Sequence, residues 1–220
     1  MSRTTPTPRP AVGTKRKDPD ARRREILNCA VRVAKADGLG AVTLRRVATE
    51  LGITPSLSSH YFSSLDQLVT SVFRCYSEAA LDDLMEAMAA VDAPAAKIAQ
   101  FLRILESPEV GSAAIWMDVW RLGRSNEALL AELHRQNASW AAALTEVLSD
   151  GLRAGVFRLA DPAGSAFKLI VAVDGLSTQR LTHAAEANTL IEMATTFVDA
   201  ELGLRPPDTV APSAHSSLRP

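Results

Sequence analysis

The sequence is poor in cysteine, in aromatic residues and in long apolar runs. Its 220 residues include two cysteines, Cys29 and Cys75, and 5% aromatic side chains. So few cysteines exclude a disulfide framework and predict a reducing compartment, the cytoplasm. The longest apolar runs, such as 169–173, fall short of the roughly 20 residues of a membrane-spanning helix. No stretch near the first residue resembles a signal peptide, so we expect a chain that is neither secreted nor inserted in a membrane.

Motifs of enzyme active sites are also missing. The chain has no GxSxG, HExxH, Gly-rich phosphate loop or CxxC pattern. Its four histidines are scattered, and none lies at ligand spacing from another histidine or from a cysteine. We therefore expect no catalytic residue, no metal site and no cofactor. A helical dimeric adaptor without DNA specificity is one alternative function for such a chain. An enzyme is a second and less favoured one.

Charge is distributed unevenly along the chain. Residues 1–62 carry twelve basic and five acidic side chains, whereas residues 63–220 carry twelve basic and twenty acidic ones. The net charges are thus +7 and −8. A basic lobe beside an acidic body suits binding to a phosphate backbone, because lysine and arginine contacts release condensed counterions. A solvated basic tail is the simpler explanation for residues 1–24.

The hydrophobic pattern between the two ends is helical throughout, which predicts an all-α fold of about nine helices. Four segments are expected. They are a disordered basic arm at 1–18, a three-helix helix-turn-helix domain at 19–63, a helical effector-binding and dimerisation domain at 64–204, and a disordered tail at 205–220. Beyond the fourth helix, the predicted helices are 94–106, 109–123, 126–154, 162–183 and 187–202.

Capping residues define the helices of the first domain. The first helix begins at Asp18 or Asp20 and ends at Gly38, and Thr43 caps the second. After a turn at Gly52, Thr54 caps a third helix with Pro55 at its first position, where the missing amide hydrogen is not needed. Three helices with a glycine-containing turn between the last two predict a helix-turn-helix. Ser64 then caps a long fourth helix that connects the two domains.

Residues 40–68, GAVTLRRVATELGITPSLSSHYFSSLDQL, resemble the N-terminal domain of the TetR family of bacterial regulators. The likeness includes the capping threonine, the Val47-Ala48 pair, the Leu51-Gly52-Ile53 turn, and Phe62 before the long helix. Ser59-His60-Tyr61-Phe62, the segment 115–120 and Asp174-Gly175-Leu176 resemble the BetI-type branch. The resemblance implies a homodimeric transcriptional repressor that binds a palindromic DNA operator and that a small organic molecule releases.

The resemblance also implies which residues contact DNA. In the family, the third helix enters the major groove, where each base pair shows its own pattern of donors and acceptors. The hydroxyls of Thr54, Ser56, Ser58 and Ser59 can bond to bases or phosphates. Phe62 is expected in the core. The predicted DNA-binding residues are Thr43, Arg45, Thr54, Pro55, Ser56, Leu57, Ser59, His60 and Tyr61.

Two positions depart from the family pattern. Leu65 stands where the family commonly has a phosphate-binding lysine, and Ser59 stands where many members have tyrosine. We expect basic side chains near the start of the chain to supply the missing backbone contacts, as arms that enter a minor groove do. Arg46 is a further candidate beside Arg45. The basic groups in question are 15–17 and 22–24.

The second domain is expected to hold the effector. Trp116 and Trp120 lie one helical turn apart and share a face, and two indoles can hold a flat or cationic ligand. Asp118 lies on another face, and no acidic residue is clearly placed beside them. The BetI-type resemblance implies a quaternary ammonium compound such as choline, but a large apolar ligand suits three tryptophans equally. The predicted effector-binding residues are Phe101, Trp116, Met117, Trp120, Trp140 and Phe167.

The last two helices are expected to form a two-fold dimer. The segment 162–183 is apolar almost all round, so its side chains cannot all face one core and a partner must cover the rest. Such a dimer would place two third helices about one DNA turn, roughly 34 Å, apart. An effector pressing on the fourth helix around 76–88 would change that spacing. The predicted interface residues are Phe167, Ile170, Val171, Val173, Leu176, Ile191, Ala194, Phe197 and Val198.

Overall fold

The computed structural model describes residues 18–105, 110–182 and 186–204, with side chains described except at 110–112 and 187. Across these residues the chain forms nine α-helices and no strand, which confirms the predicted all-α class. The helices are α1 Pro19–Asp37, α2 Leu44–Glu50, α3 Pro55–Tyr61, α4 Leu65–Ala89, α5 Pro94–Leu102, α6 Val110–Gly123, α7 Glu127–Arg153, α8 Pro162–Leu181 and α9 Ala187–Leu202. Short 3-10 turns follow α1 at Leu39–Ala41 and α5 at Arg103–Leu105.

Two of the predicted segments lie outside the described residues. They are the basic arm except for Asp18, with the group 15–17, and the tail at 205–220. The second basic group, 22–24, is described, and it belongs to the regular helix α1. Helix α1 has 19 residues, whereas α2 and α3 have seven each.

Side-chain caps begin the helices of the first domain. Asp18, not Asp20, caps α1 by accepting a hydrogen bond from the Ala21 amide at 3.2 Å. Thr43 accepts from the Arg46 amide at 3.1 Å, and Ser64 accepts from the Gln67 amide at 3.0 Å. Each cap satisfies one of the amides that have no partner within a helix, so these short polar residues fix where helices start.

The buried side chains form two clusters along the molecule. The first cluster joins α1, α2 and the start of α4 to one face of α6 and the start of α7, and it contains Phe62 and Phe73. The second lies between the end of α4, α5, α7, α8 and α9, and it contains Phe101 and Phe157. Phe62 is fully buried, as expected. Because α4 and α7 contribute to both clusters, they connect the end of the molecule that holds α1 and α2 to the rest of the chain.

A buried ionic network also holds α4 against α7. The carboxylate of Glu132, which is 4% exposed, accepts hydrogen bonds from Arg74 at 2.8 and 3.0 Å and from Gln136 at 2.8 Å. Arg135 is a further donor. Burial raises the pKa of Glu132, but these donors together outweigh the effect of burial and lower that pKa.

Among the described residues, no helix combines the length and the apolar character of a membrane span.

Candidate nucleic-acid interface and ligand cavity

One face of α3 is open to solvent. Pro55, Ser56, Ser59 and His60 are exposed, and they make up one side of this helix as two pairs of residues four apart, which lie above one another on its surface. Leu57 and Tyr61 are half-buried on the opposite side, where Tyr61 packs against the first core cluster. Apart from His60, the side chains on this face are small, so DNA could approach the helix backbone closely.

Hydroxyl groups on this face are only partly used within the chain. Thr54 lies 3.1 Å from the Ser56 hydroxyl and caps α3, and Ser59 donates to the Pro55 carbonyl at 3.1 Å. A hydroxyl oxygen has two lone pairs, so these groups keep acceptor capacity for an outside donor. Ser58 differs from these residues, because its side chain is fully buried. The expectation that Ser58 contacts DNA was therefore wrong.

The arginines near α3 differ in whether they are engaged. Arg46 is bonded to Asp37 and lies 4.0 Å from Glu50, and Arg22 is paired with Glu25 at 2.7 Å. The Arg23 guanidinium lies 4.9 Å from the centre of the Phe62 ring. Arg45 is exposed, and in the described part of the chain nothing pairs with it. Arg45 is thus the second-helix arginine that is available to a phosphate, whereas Arg46 is occupied.

A cavity of about 320 Å³ lies between α1, α4, α6, α7 and α8. This volume is in the range of small-molecule sites. Of the residues predicted to bind the effector, Phe101, Trp116, Trp120 and Trp140 line it, whereas Met117 and Phe167 are not among its lining residues. Phe167 is 64% exposed, because its position on α8 points it away from the cavity.

The indole rings of the cavity are fixed by their neighbours. Trp116 meets Phe73 edge-on at 5.0 Å and Trp140 edge-on at 6.4 Å, measured between ring centres. The Trp140 indole N–H donates to the Ser77 hydroxyl at 3.1 Å. This bond satisfies the polar atom of Trp140, so its ring faces are left for apolar or cationic contacts. Trp120 is 38% exposed and lies at the edge of the cavity.

Two carboxylates line the cavity, which corrects the expectation that none was placed there. Asp174 comes from α8 and Asp83 from α4. Burial raises the pKa of Asp174 from its ordinary value of 3.8 to about 6, and no described residue forms an ion pair with it. Periodicity alone missed both residues, because the cavity joins faces of helices that are distant in sequence. The Asp174-Gly175-Leu176 motif was the available signal.

Helix α1 also contributes to the cavity, through Val31 and Lys35. The Lys35 ammonium lies 5.8 Å from the centre of the Tyr76 ring, which is a further lining residue. Sequence reasoning assigned α1 wholly to the DNA-binding domain and did not predict this contact. The cavity is therefore in direct contact with the helix that begins the helix-turn-helix.

Cys75 is a further lining residue of the cavity. Burial raises the pKa of the Cys75 thiol, so this lining residue is protonated at neutral pH and acts as a small apolar group. Within 18–105, 110–182 and 186–204, no three histidine, cysteine or carboxylate side chains come together as a metal site would need.

The residues predicted for a dimer interface fall into three groups. Phe167, Val171 and Phe197 are exposed, with Met193 beside them on α9. Ile170, Leu176 and Ile191 are half-buried. Three others are buried inside the protomer itself, so a partner cannot cover them, because their side chains pack into the second core cluster. These are Val173, Ala194 and Val198.

Two family models match this chain. The model described as bacterial regulatory proteins of the tetR family matches residues 26–72, and that of the BetI-type transcriptional repressor C-terminal domain matches residues 94–203. Among curated proteins, the chain is 30% identical over 138 residues to the HTH-type transcriptional regulator BetI of Rhizobium meliloti (strain 1021), covering 60% of this chain and 65% of that one. The BetI of Brucella suis biovar 1 is 25% identical over 194 residues, covering 84% and 93%.

Solved structures share the fold. A TetR transcription regulator from Haloarcula marismortui superposes with a TM-score of 0.71 at 20% identity, covering 83% of this chain and 99% of that one. A transcriptional regulator from Saccharomonospora viridis, in complex with choline, superposes with a TM-score of 0.70 at 21% identity, covering 82% and 96%.

Proposed function

We propose that this chain, which belongs to the TetR family of bacterial transcriptional regulators and has a BetI-type C-terminal domain, is a homodimeric, cytoplasmic repressor. An organic cation releases it from its operator. A member of this family is a DNA-binding regulator. The effector, the dimer and the individual contacts below are our proposals, and each is supported by particular residues.

The DNA-binding surface is the exposed face of α3 together with Arg45. Ser56, Ser59 and His60 are exposed on one side of α3. On its other side Ser58 is buried and the Tyr61 ring packs against the first core cluster. Hydroxyl and imidazole groups can donate to and accept from base edges, whereas the Arg45 guanidinium is suited to a phosphate. Thr43 and Thr54 keep their places as caps, and the exposed Pro55 sets the helix start.

The observation that supports an organic cation is Asp174. This carboxylate faces a cavity lined by three tryptophans, and no described cation pairs with it. A ligand cation supplies the missing charge, and indole faces attract cations through the negative potential above the ring. Asp83 adds a second negative group, whereas Lys35 adds a positive one at the α1 side. A choline complex of the Saccharomonospora viridis regulator, which shares the fold, makes choline the first compound to test.

The dimer is proposed to form through the exposed faces of α8 and α9. Four large apolar side chains on these helices are exposed: Phe167, Val171, Met193 and Phe197. Contiguous apolar side chains of this kind are typical of interfaces, and paired α8 and α9 helices from two protomers would make a four-helix contact.

The test compares choline with 3,3-dimethylbutan-1-ol, a neutral molecule in which carbon replaces the quaternary nitrogen. Operator DNA is first selected from a random duplex pool with the purified protein. We expect choline to bind in isothermal titration calorimetry and to release the operator in gel shifts, and the neutral analogue to do neither at the same concentration. Asp174→Asn should weaken choline binding by tenfold or more, and Asp82→Asn, a carboxylate on α4 outside the cavity lining, should not.

Equal binding of the two compounds would reject the cation and favour an apolar effector. Failure to select any duplex sequence would contradict the DNA-binding assignment itself. The two results are independent, because the first concerns the cavity and the second concerns α3.

A further inference from the structure

Helix α6 presents different faces to the cavity and to the DNA-binding end of the molecule. Trp116 and Trp120 line the cavity. Ile115 and Val119 are fully buried in the first core cluster, together with Leu39 and residues of α1. An α-helix with its hydrogen bonds intact moves as one body, so a ligand that shifts the tryptophan face also shifts the opposite one.

Asp118 is the polar contact between this helix and the turn after α1. Its Oδ2 accepts the Gly40 amide N–H at 3.1 Å, and its Oδ1 lies 3.3 Å from the Arg121 guanidinium. The fit is close, because a Cβ added at Gly38 would come within 2.9 Å of the same Oδ2. Gly38 has a φ of 85°, a conformation that side chains rarely adopt. The turn is thus shaped to meet this carboxylate.

The turn leads directly to the helices that carry the DNA-binding face. Gly40 precedes Thr43, the cap of α2, by three residues. Leu39 and Val42, on either side of Gly40 in the turn, are buried in the first core cluster. The next segment, α2, packs on α3. A displacement of the Gly40 amide is therefore passed to α2 and α3.

We propose that Asp118 is a positioning residue that couples the effector cavity to the DNA-binding helices, by tying α6 to the turn at Gly40. The proposal rests on the function proposed above. The effector displaces α6 through Trp116 and Trp120, and the hydrogen bond from Gly40 makes the turn follow. Coupling of this kind requires that the ligand prefer one of two arrangements of the helices, and the bond between Asp118 and Gly40 makes the turn follow α6 from one arrangement to the other.

This route differs from one that runs through α4 alone. Helix α4 also lines the cavity, through Tyr76 and Asp83, and it continues to the first core cluster. Pressure on α4 would reach the DNA-binding end without any help from the Gly40 contact. Removing the Asp118 carboxylate therefore separates the two routes.

The first experiment measures three quantities in Asp118→Ala, Asp118→Asn and Arg121→Ala: operator affinity without choline, choline affinity without DNA, and the ratio of operator affinities without and with choline. We expect Asp118→Ala to keep both affinities within about threefold of the wild type while the ratio falls by fivefold or more, a change within the usual span of allosteric coupling. Asp118→Asn keeps an oxygen for the Gly40 amide and should retain most of the ratio. Arg121→Ala leaves that bond intact and should behave likewise.

The second experiment needs no effector. Hydrogen exchange is followed by mass spectrometry with and without the selected operator, in the wild type and in Asp118→Ala. We expect operator to slow exchange in α3 of both proteins, and to change exchange in the α6 segment 113–120 of the wild type only. This measures the same coupling from the DNA side, since linkage is reciprocal.

A wild-type ratio in Asp118→Ala, or an operator-induced change in α6 that persists in that variant, would overturn the proposal, as would the absence of any such change in the wild type. If choline does not bind while the α6 change depends on Asp118, the proposed effector is wrong and the coupling stands. An aggregated or unfolded Asp118→Ala is identified by light scattering and circular dichroism. Asp118→Leu, which fills the same space without an acceptor for the Gly40 amide, then replaces it, and a wild-type ratio in that variant would overturn the proposal.

Discussion

The guanidinium of Arg46 is hydrogen-bonded to the carboxylate of Asp37, which joins α2 to the end of α1. Its neighbour in sequence, Arg45, is exposed and pairs with nothing in the described part of the chain. The two arginines offer the same charge on the same helix, but Arg46 also has an acidic neighbour in Glu50. Position in the packing, more than residue type, thus decides which of them is free to meet a phosphate.

The first prediction follows from this difference. Arg45→Ala should weaken binding to operator and to unrelated DNA alike, and should reduce by about one the slope of log affinity against log salt concentration, since one phosphate contact is lost. Arg46→Ala should leave the slope unchanged and lower the thermal stability slightly, because exposed ion pairs contribute about 1 kcal/mol at most. Filter binding across a salt series measures the slopes. Equal slopes in the two variants would contradict the assignment.

The second prediction concerns base contacts. Ser59→Ala and His60→Ala should each cost operator affinity of about 1 to 3 kcal/mol and little affinity for unrelated duplex, because base contacts carry sequence information. Ser58→Ala is the matched control. Its hydroxyl is fully buried and has no hydrogen-bond partner among the described residues. Removing an unsatisfied polar group should leave operator affinity unchanged and raise stability by about 1 kcal/mol. Loss of operator binding in Ser58→Ala alone would place the DNA face elsewhere.

The third prediction is a pH dependence of effector binding. The Asp174 carboxyl, with a pKa raised to about 6, is ionised above that pH and neutral below it. Choline affinity should therefore be constant above pH 7 and fall by about tenfold for each pH unit below 6, as the attracting charge is lost. The other titratable groups of the cavity are Asp83, Lys35, Tyr76 and Cys75. Calorimetry between pH 5 and 8 gives the profile.

Asp174→Asn supplies the control for that profile, and it also tests the cost of the carboxyl to folding. The variant should bind choline weakly at every pH. The raised pKa means that the wild-type carboxyl stabilises the fold most below its ordinary pKa of 3.8, and that this advantage is lost as the pH rises through about 6. At pH 8, without effector, Asp174→Asn should be more stable than the wild type, by at most about 3 kcal/mol. A pH-dependent choline affinity in this variant would point to another group.

The fourth prediction concerns the dimer. Val171 is 52% exposed on α8, so Val171→Glu should yield a monomer by light scattering at micromolar concentration while its circular dichroism stays helical. Met85→Glu changes a side chain that is 37% exposed on α4 and should remain dimeric. A charge at Val173 is unsuitable for this test, because that side chain is buried beside the cavity and its replacement would disrupt the core. A dimeric Val171→Glu would mean that the protomers meet elsewhere.

The fifth prediction tests the packing of the second core cluster, which contains Phe157. A Cβ at Gly151 would lie 2.1 Å from two ring carbons of Phe157, which is 1% exposed. Gly151→Ala must therefore move a fully buried ring, and we expect it to destabilise the fold by about 1 to 3 kcal/mol or more. At Gly123 the added Cβ would meet Leu130 at 3.7 Å, an ordinary contact, so Gly123→Ala should be nearly neutral. Urea denaturation compares the two, and equal midpoints would show that Phe157 has room to shift.

The sequence was sufficient to predict the helices and their starts. Capping is a local property, so Thr43, Thr54 and Ser64 marked helix starts to the residue, and the 3.6-residue period gave the helices between them. The 3-10 turn at Arg103–Leu105 shortened a helix that was expected to reach residue 106, because periodicity does not distinguish the two kinds of turn.

The site was predictable only where neighbours in sequence share a face. Trp116 and Trp120 are one helical turn apart, so their common face could be predicted from the spacing alone. Asp174 and Lys35 line the same cavity from helices far apart in the chain, and only the tertiary packing brings them together. Val173 shows the opposite error, since a helix that is apolar all round does not reveal which side its own core covers.

The cavity holds all three tryptophans of the chain, Trp116, Trp120 and Trp140, and the segment 19–63 has none. Ultraviolet emission of the protein therefore comes almost entirely from one site, without any label. We expect a ligand in the cavity to quench or shift this emission, whereas α3, Pro55–Tyr61, carries no tryptophan. A change of emission on adding operator that remains after correction for absorption by the DNA would therefore report communication within the protein.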